Sequence, residues 1–250
     1  MIVFVHGVPE TAEIWDGVRK AIDRESVALA LPGFATPRPT GFGATKDEYA
    51  DWLLGEIDRL SGDGPVDLVG HDWGAGIAFR IVTAHADRLR SWVVDCGSLA
   101  HPDYEWHDLA KIWQTPEQGE AFIAAMTAQT PEEQAPALEG FGVPHEHALT
   151  MAAAGDATMG ACILDLYRSA TPNIHADWGP LAPSPVPGPL PQGMVVHPTD
   201  DPFSIEPQAR EVAEAFGARF ATLDGIGHFW PYQAPEASAE LLSSFWSGLA

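Results

Sequence analysis

The run Val66-Asp67-Leu68-Val69-Gly70-His71-Asp72-Trp73-Gly74-Ala75 carries the chemistry most openly. An apolar strand leads into Gly-x-Asp-x-Gly and then directly into a helix beginning at about Gly74. Glycines on both sides of a central residue permit a sharp turn that holds that side chain above the strand end, where a nucleophile is presented. The central residue here is Asp72. A carboxylate attacking an ester would give an anhydride, but attacking an sp³ carbon it displaces a leaving group and becomes an ordinary ester. The residue type therefore selects the substrate class. The structural alternative for Asp72 is a helix N-cap, a position that favours Asp. His145-Glu146-His147 offers metal-ligand types, but on a helix that spacing points the two histidines to opposite sides, and no third ligand is signalled. These residues are expected in a solvated loop, and no metal or cofactor is called for. Cys96 and Cys162 have no Cys-x-x-Cys spacing and are expected to be small buried residues. Met151 and Met159 are expected in the core.

The elements that must position this turn follow from pattern. Short β-branched runs at Ile2–His6, Ser26–Leu31, Val66–Gly70, Ser91–Asp95, Gly193–His197 and Arg219–Leu223 read as strands. Helical stretches alternate with them. Thr45–Leu60 places Tyr49, Trp52, Leu53, Ile57 and Leu60 on one face; Glu206–Phe216 turns Val212, Ala215 and Phe216 inward; Ala234–Leu249 closes the chain. The fold class is α/β, a mainly parallel sheet of about six strands covered on both faces by helices. Residues 1–100 and 193–250 form this core. Residues 101–192 are expected to be an inserted helical cap, leaving through six prolines in the twelve residues Pro180–Pro191, a stiff extended tether.

Composition narrows the partners. The chain has 250 residues, 13 Lys+Arg and 35 Asp+Glu, a net charge of −22. That charge repels nucleic acid and anionic membranes. No apolar run is long enough to span a bilayer and the first residues show no signal peptide, so a soluble, cytoplasmic protein is expected.

The elbow His71-Asp72-Trp73-Gly74 resembles that of the α/β-hydrolases, in particular the epoxide hydrolase and haloalkane dehalogenase branch. Three further segments match in order: His6-Gly7-Val8-Pro9-Glu10-Thr11 with Leu31-Pro32-Gly33-Phe34, then Val195–Pro202, then Gly225–Pro231. The resemblance implies that Asp72 forms a covalent alkyl-enzyme ester and that His228 takes a proton from the water that hydrolyses it. Asp201, immediately before Pro202, would hold the imidazole, with the adjacent Asp200 as its rival. Backbone N–H groups of Val8 and Trp73 would form the oxyanion hole. His6 is expected to pack the early loop. The family's N-terminal hairpin has no counterpart before Ile2, which suggests an exposed sheet edge and a possible homodimer.

Epoxide and halide chemistry differ in what stabilises the leaving group. Leu166-Tyr167-Arg168 followed by Trp178 resembles the epoxide hydrolase segment that carries an acidic tyrosine, so Tyr167 is the candidate donor. The second donor of that family falls at Leu109, which has no hydroxyl; His107 and Tyr104, the latter otherwise an exposed residue, lie about a helical turn away. Trp73, Trp113 and Phe229 are candidate substrate contacts. Trp73 also offers an indole N–H to a halide, which keeps dehalogenation as the alternative, but Val8 occupies the position of a halide-binding asparagine. Residues 101–175 carry eleven acidic and two basic side chains. A small, neutral, apolar epoxide is therefore the expected substrate. A non-catalytic ligand-binding member of the fold is the remaining possibility.

Overall fold

The computed structural model describes residues 1–62, 64–175, 177–178 and 190–249. The first half of the core runs β1 (Ile2–Val5), α1 (Asp16–Ala21), β2 (Ser26–Leu29), α2 (Lys46–Leu60), β3 (Val66–Gly70), α3 (Trp73–Ala84) and β4 (Leu89–Val94). Among the described residues five helices follow: α4 (Asp108–Gln114), α5 (Gln118–Thr127), α6 (Pro131–Gly140), α7 (His145–Ala154) and α8 (Ala157–Ser169). The core resumes with β5 (Gln192–Pro198), α9 (Glu206–Ala215), β6 (Arg219–Leu223), α10 (Trp230–Gln233) and α11 (Pro235–Ser247).

The six strands form one sheet in the order β2-β1-β3-β4-β5-β6, all parallel. From β1 the chain moves outward to β2, then returns to β3 and builds in the other direction. Such a reversal opens a crevice beyond the carboxyl ends of the strands, where open α/β sheets bind ligands. Here the crevice lies between the ends of β1 and β3, so it receives residues 6–8 and 70–73 together. β1 and β3 are buried along their whole length, as strands of a doubly covered sheet are.

The expected strands are present with small shifts at their ends. β1 and β2 stop at Val5 and Leu29 because the His6 ring takes over from the ladder, its Nε2 accepting the Leu31 N–H at 3.0 Å. β4 starts two residues before Ser91, since Leu89 pairs with Val66 across a register shift. α2 begins with a capping box between Thr45 and Glu48 and buries Tyr49, Leu53 and Ile57, while Trp52 and Leu60 are half-buried. On α9 the inward stripe is Ala209, Val212, Ala213 and then Phe216; Ala215, expected inward, is exposed because it lies off that i, i+3, i+4, i+7 line.

Three other readings are corrected or sharpened. His145 and His147 stand on the exposed first turn of α7 rather than in a loop, where His145 Nδ1 meets Glu139 Oε1 at 2.5 Å and the His147 ring stacks on Tyr232 at 4.1 Å. Tyr104 is buried, edge-on to Trp106 at 5.3 Å, rather than exposed. Trp73 rather than Gly74 is the first residue of α3. Cys96 and Cys162 are buried and unpaired. The proline-rich tether lies outside the described residues except for Leu190 and Pro191, whose carbonyl accepts the Trp92 indole N–H at 3.1 Å. No single helix among the described residues is long and apolar enough to cross a membrane.

Candidate active site

The turn from β3 to α3 holds Asp72 at φ 51°, ψ −118°, a conformation that costs a non-glycine residue of order 1–3 kcal/mol. Its neighbours make the turn possible. A Cβ on Gly70 would overlap the main chain of Gly74, and one on Gly74 would overlap the Val5 carbonyl. The Asp72 side chain makes no capping bond to α3, so the N-cap reading does not account for it. It points the other way: Oδ1 accepts the Val8 N–H at 2.8 Å, and Oδ2 lies 3.8 Å from His228 Nε2. The close approach of the early loop requires glycine at position 7, where a Cβ would overlap the Asp72 side chain.

His228 comes from the loop between β6 and α10, and its Nδ1 lies 3.1 Å from Asp201 Oδ2. Asp201 Oδ1 in turn accepts the Phe203 N–H at 2.9 Å. Asp200 is exposed and has no contact with His228, so the geometry selects Asp201 from the adjacent pair. Burial pushes the Asp72 carboxyl up to about 6, against the opposing pull of His228 and the Trp73 main-chain amide. Burial disfavours the charged form of His228, but Asp201 outweighs it and holds the ring above its ordinary value.

Behind these residues lies a second buried unit. His71 presents Nδ1 to Asp95 Oδ2 and Nε2 to Glu10 Oε1, the latter at 2.8 Å. With a carboxylate on each nitrogen both must carry protons, and despite burial the ring is held well above its ordinary value. Glu10 and Asp95, though buried, are correspondingly lowered by His71. Glu10 Oε2 accepts the Gly7 N–H at 2.9 Å, Asp95 Oδ1 accepts the Asp72 N–H at 2.9 Å, and Trp230 Nε1 donates to Asp95 at 2.5 Å. The unit thus locks together the early loop, the elbow and α10. Reading along the chain missed it. Glu10 and His71 sit inside the quoted motifs, but only the fold shows that they touch. His6 is separate: it accepts from Leu31 and lies 2.8 Å from the Gly7 carbonyl, and burial lowers it to about 4, so it is a neutral strut for the loop.

Between the strand ends and the inserted helices lies a cavity of about 350 Å³. Its walls are largely apolar, from Leu109, Trp113, Phe122, Met126, Leu138 and Met151, and Asp72 and His228 form one end. Val8, Phe229 and Met159 also line it. Tyr167 lines it too, 2% exposed, edge-on to Trp73 at 5.2 Å and 4.8 Å from the Trp113 ring. Burial, helped by the negative charge of Asp72, pushes the Tyr167 hydroxyl well above its ordinary value and keeps it protonated. His107 is the N-cap of α4, its Nδ1 accepting the Ala110 N–H at 3.2 Å. That bond leaves the ring proton on Nε2, and burial lowers the group to about 4, so His107 is a neutral N–H donor on the cavity wall. Trp73 does not line this cavity. It borders a second space of about 10 Å³ with Asp72, Cys96, Tyr104 and His107.

The arrangement can carry out displacement at carbon followed by hydrolysis of the resulting ester. The chain matches the model of the alpha/beta hydrolase family over residues 2–241, and it belongs to that family. Among curated proteins it is 32% identical over 99 residues to Epoxide hydrolase 2 of Siraitia grosvenorii, covering 37% of this chain and 30% of that protein. It is 30% identical over 95 residues to Lipase LipV of Mycobacterium tuberculosis, covering 37% of this chain and 35% of that protein. The chain thus spans about a third of the length of the curated relatives it matches. A loop variant of haloalkane dehalogenase DbeA from Bradyrhizobium elkanii superposes with a TM-score of 0.75 at 21% identity, over 99% of this chain and 89% of that one. At that identity the likeness is one of fold.

Proposed function

We propose that the protein is an epoxide hydrolase that opens neutral, apolar epoxides to vicinal diols. Oδ2 of Asp72 attacks an epoxide carbon, the carbon–oxygen bond breaks, and an ester forms while the epoxide oxygen takes a proton from the Tyr167 hydroxyl. His107 Nε2–H is the second donor to that oxygen, in the place of a second tyrosine. His228 then removes a proton from a water molecule that attacks Cγ of Asp72, with Asp201 stabilising the imidazolium. Charge on Oδ1 in the tetrahedral intermediate is met by the Val8 and Trp73 N–H groups. Collapse releases the diol, which keeps Oδ2; the imidazolium returns its proton to the leaving oxygen, and Asp72, freed as the carboxylic acid, loses its proton to solvent. Tyr167 is re-protonated from solvent. The observation that carries this reading is a tyrosine buried on the wall of the same apolar cavity as an aspartate on a strained elbow.

Dehalogenation is the second reading, and one observation favours it. The indole N–H groups of Trp73 and Trp113 are both buried without a hydrogen-bond partner, which suits a halide. Incubation with styrene oxide and with 1-bromohexane separates the two. Diol formation that Asp72→Asn abolishes supports the epoxide reading; bromide release without diol formation overturns it in favour of the second.

A further inference from the structure

Gln233, at the end of α10, touches neither the cavity nor the three catalytic side chains, yet it joins two parts of the molecule that bound them. Its Oε1 accepts the N–H of Gly227, the residue before His228, at 2.7 Å. Its Nε2 donates to the carbonyl of Phe141 at 3.0 Å, in the turn between α6 and α7. The amide is therefore used at both ends, and only the orientation with oxygen toward Gly227 satisfies both partners. The turn is shaped to receive it: Gly142 has φ +85°, and a Cβ there would overlap Gln233 Nε2.

A second line runs from the same turn to the same histidine. The Phe141 ring packs on Phe203 at 5.7 Å, and Phe203 packs edge-on against the His228 ring at 5.0 Å while its N–H holds Asp201. Phe141 also lines the substrate cavity, together with Leu138 from α6 and Met151 from α7. The α6–α7 turn thus borders the cavity on one side and reaches the His228–Asp201 pair through Phe203 on the other.

We propose that Gln233 is a positioning residue that couples the α6–α7 turn to His228 and so sets the rate of ester hydrolysis. This rests on the two-step chemistry proposed above, in which His228 acts only after the ester has formed. The alkylation step uses Asp72 and the leaving-group donors, none of which Gln233 contacts. Loss of the strut therefore slows hydrolysis selectively. A general loss of packing would slow both steps.

The test is rapid-quench kinetics with intact-mass detection of the alkyl-enzyme, using styrene oxide and, in parallel, 1-bromohexane, on the wild type, Gln233→Ala and Gln233→Glu. Glu keeps an acceptor for Gly227 but loses the donor to Phe141. Both variants are expected to alkylate at the wild-type rate, to hydrolyse the ester about ten- to a hundredfold more slowly, and to accumulate the adduct. Equal slowing of the two steps, or a wild-type hydrolysis rate in Gln233→Glu, overturns the coupling. An adduct from the bromide alone overturns the epoxide reading and leaves the coupling to be judged on the bromide arm. No adduct from either reagent overturns both.

Discussion

Oδ1 of Asp72 accepts the Val8 N–H at 2.8 Å, while Oδ2 of the same carboxylate lies 3.8 Å from His228 Nε2. The two oxygens are thereby made unequal before any substrate binds. In the chemistry proposed above, Oδ1 is the oxygen on which negative charge develops during ester hydrolysis, so its donor needs no reorganisation when the intermediate forms. Oδ2 is the oxygen that attacks.

His228 has no part in alkylation under this scheme. His228→Ala is expected to form the ester at near the wild-type rate and then stall, so that intact-mass measurement after addition of an epoxide shows one stable adduct per chain. Trypsin digestion should place it on the peptide containing Asp72. Turnover without a detectable adduct would contradict the covalent mechanism.

The carboxyl of Asp72 titrates at about 6 in the folded protein, above its ordinary 3.8, so the native state holds that proton more tightly than the unfolded chain. The sign follows: this group costs stability as pH rises from about 4 to about 6, and the cost is constant above that. Its size is up to about 3 kcal/mol. Asp72→Asn removes the titration. The variant is therefore expected to melt at a higher temperature than the wild type at pH 7.5, with the gap closing toward pH 4. A gap that does not change with pH would sink this account. Alkylation by the wild type, which needs the ionised carboxylate, should fall away below about pH 6.

Tyr167→Phe removes the one hydroxyl proposed to protonate the epoxide oxygen and leaves the apolar contacts with Trp73 and Trp113 in place. Diol formation should drop by about a hundred- to a thousandfold in kcat/KM, the range for losing one donor to a developing oxyanion. His107→Phe should cost less, because a neutral imidazole N–H shares a hydrogen bond without giving up its proton. Reaction with a bromoalkane, whose leaving group needs no proton, should fall far less in both variants. Equal loss on the two substrates would mean that the tyrosine only shapes the cavity.

Reading along the chain recovers what is local. Gly70 and Gly74 around Asp72 mark the elbow as a spacing within five consecutive residues, although the need for glycine at 74 comes from the Val5 carbonyl on β1. The six strands are legible for the same reason, since a β-branched run between turn residues carries its own signal. Contacts between distant segments are not encoded in that way. Whether Asp200 or Asp201 faces His228 is decided in the turn after β5, where the Asp201 N–H bonds the Pro198 carbonyl at 3.2 Å and its carboxylate meets the Phe203 N–H and the His228 ring from a loop 27 positions on. Glu10, His71 and Asp95 meet only because β1, β3 and β4 lie side by side, which brings together residues 61 and 24 positions apart. His107 takes its donor nitrogen from a cap on α4, and Ala215 is exposed because the stripe on α9 passes it by. Spacing in the sequence alone determined an aspartate on a strand-to-helix turn in an α/β sheet. The tertiary structure decided which groups surround it, because burial and strand order, rather than neighbours in sequence, choose the partner of each charge.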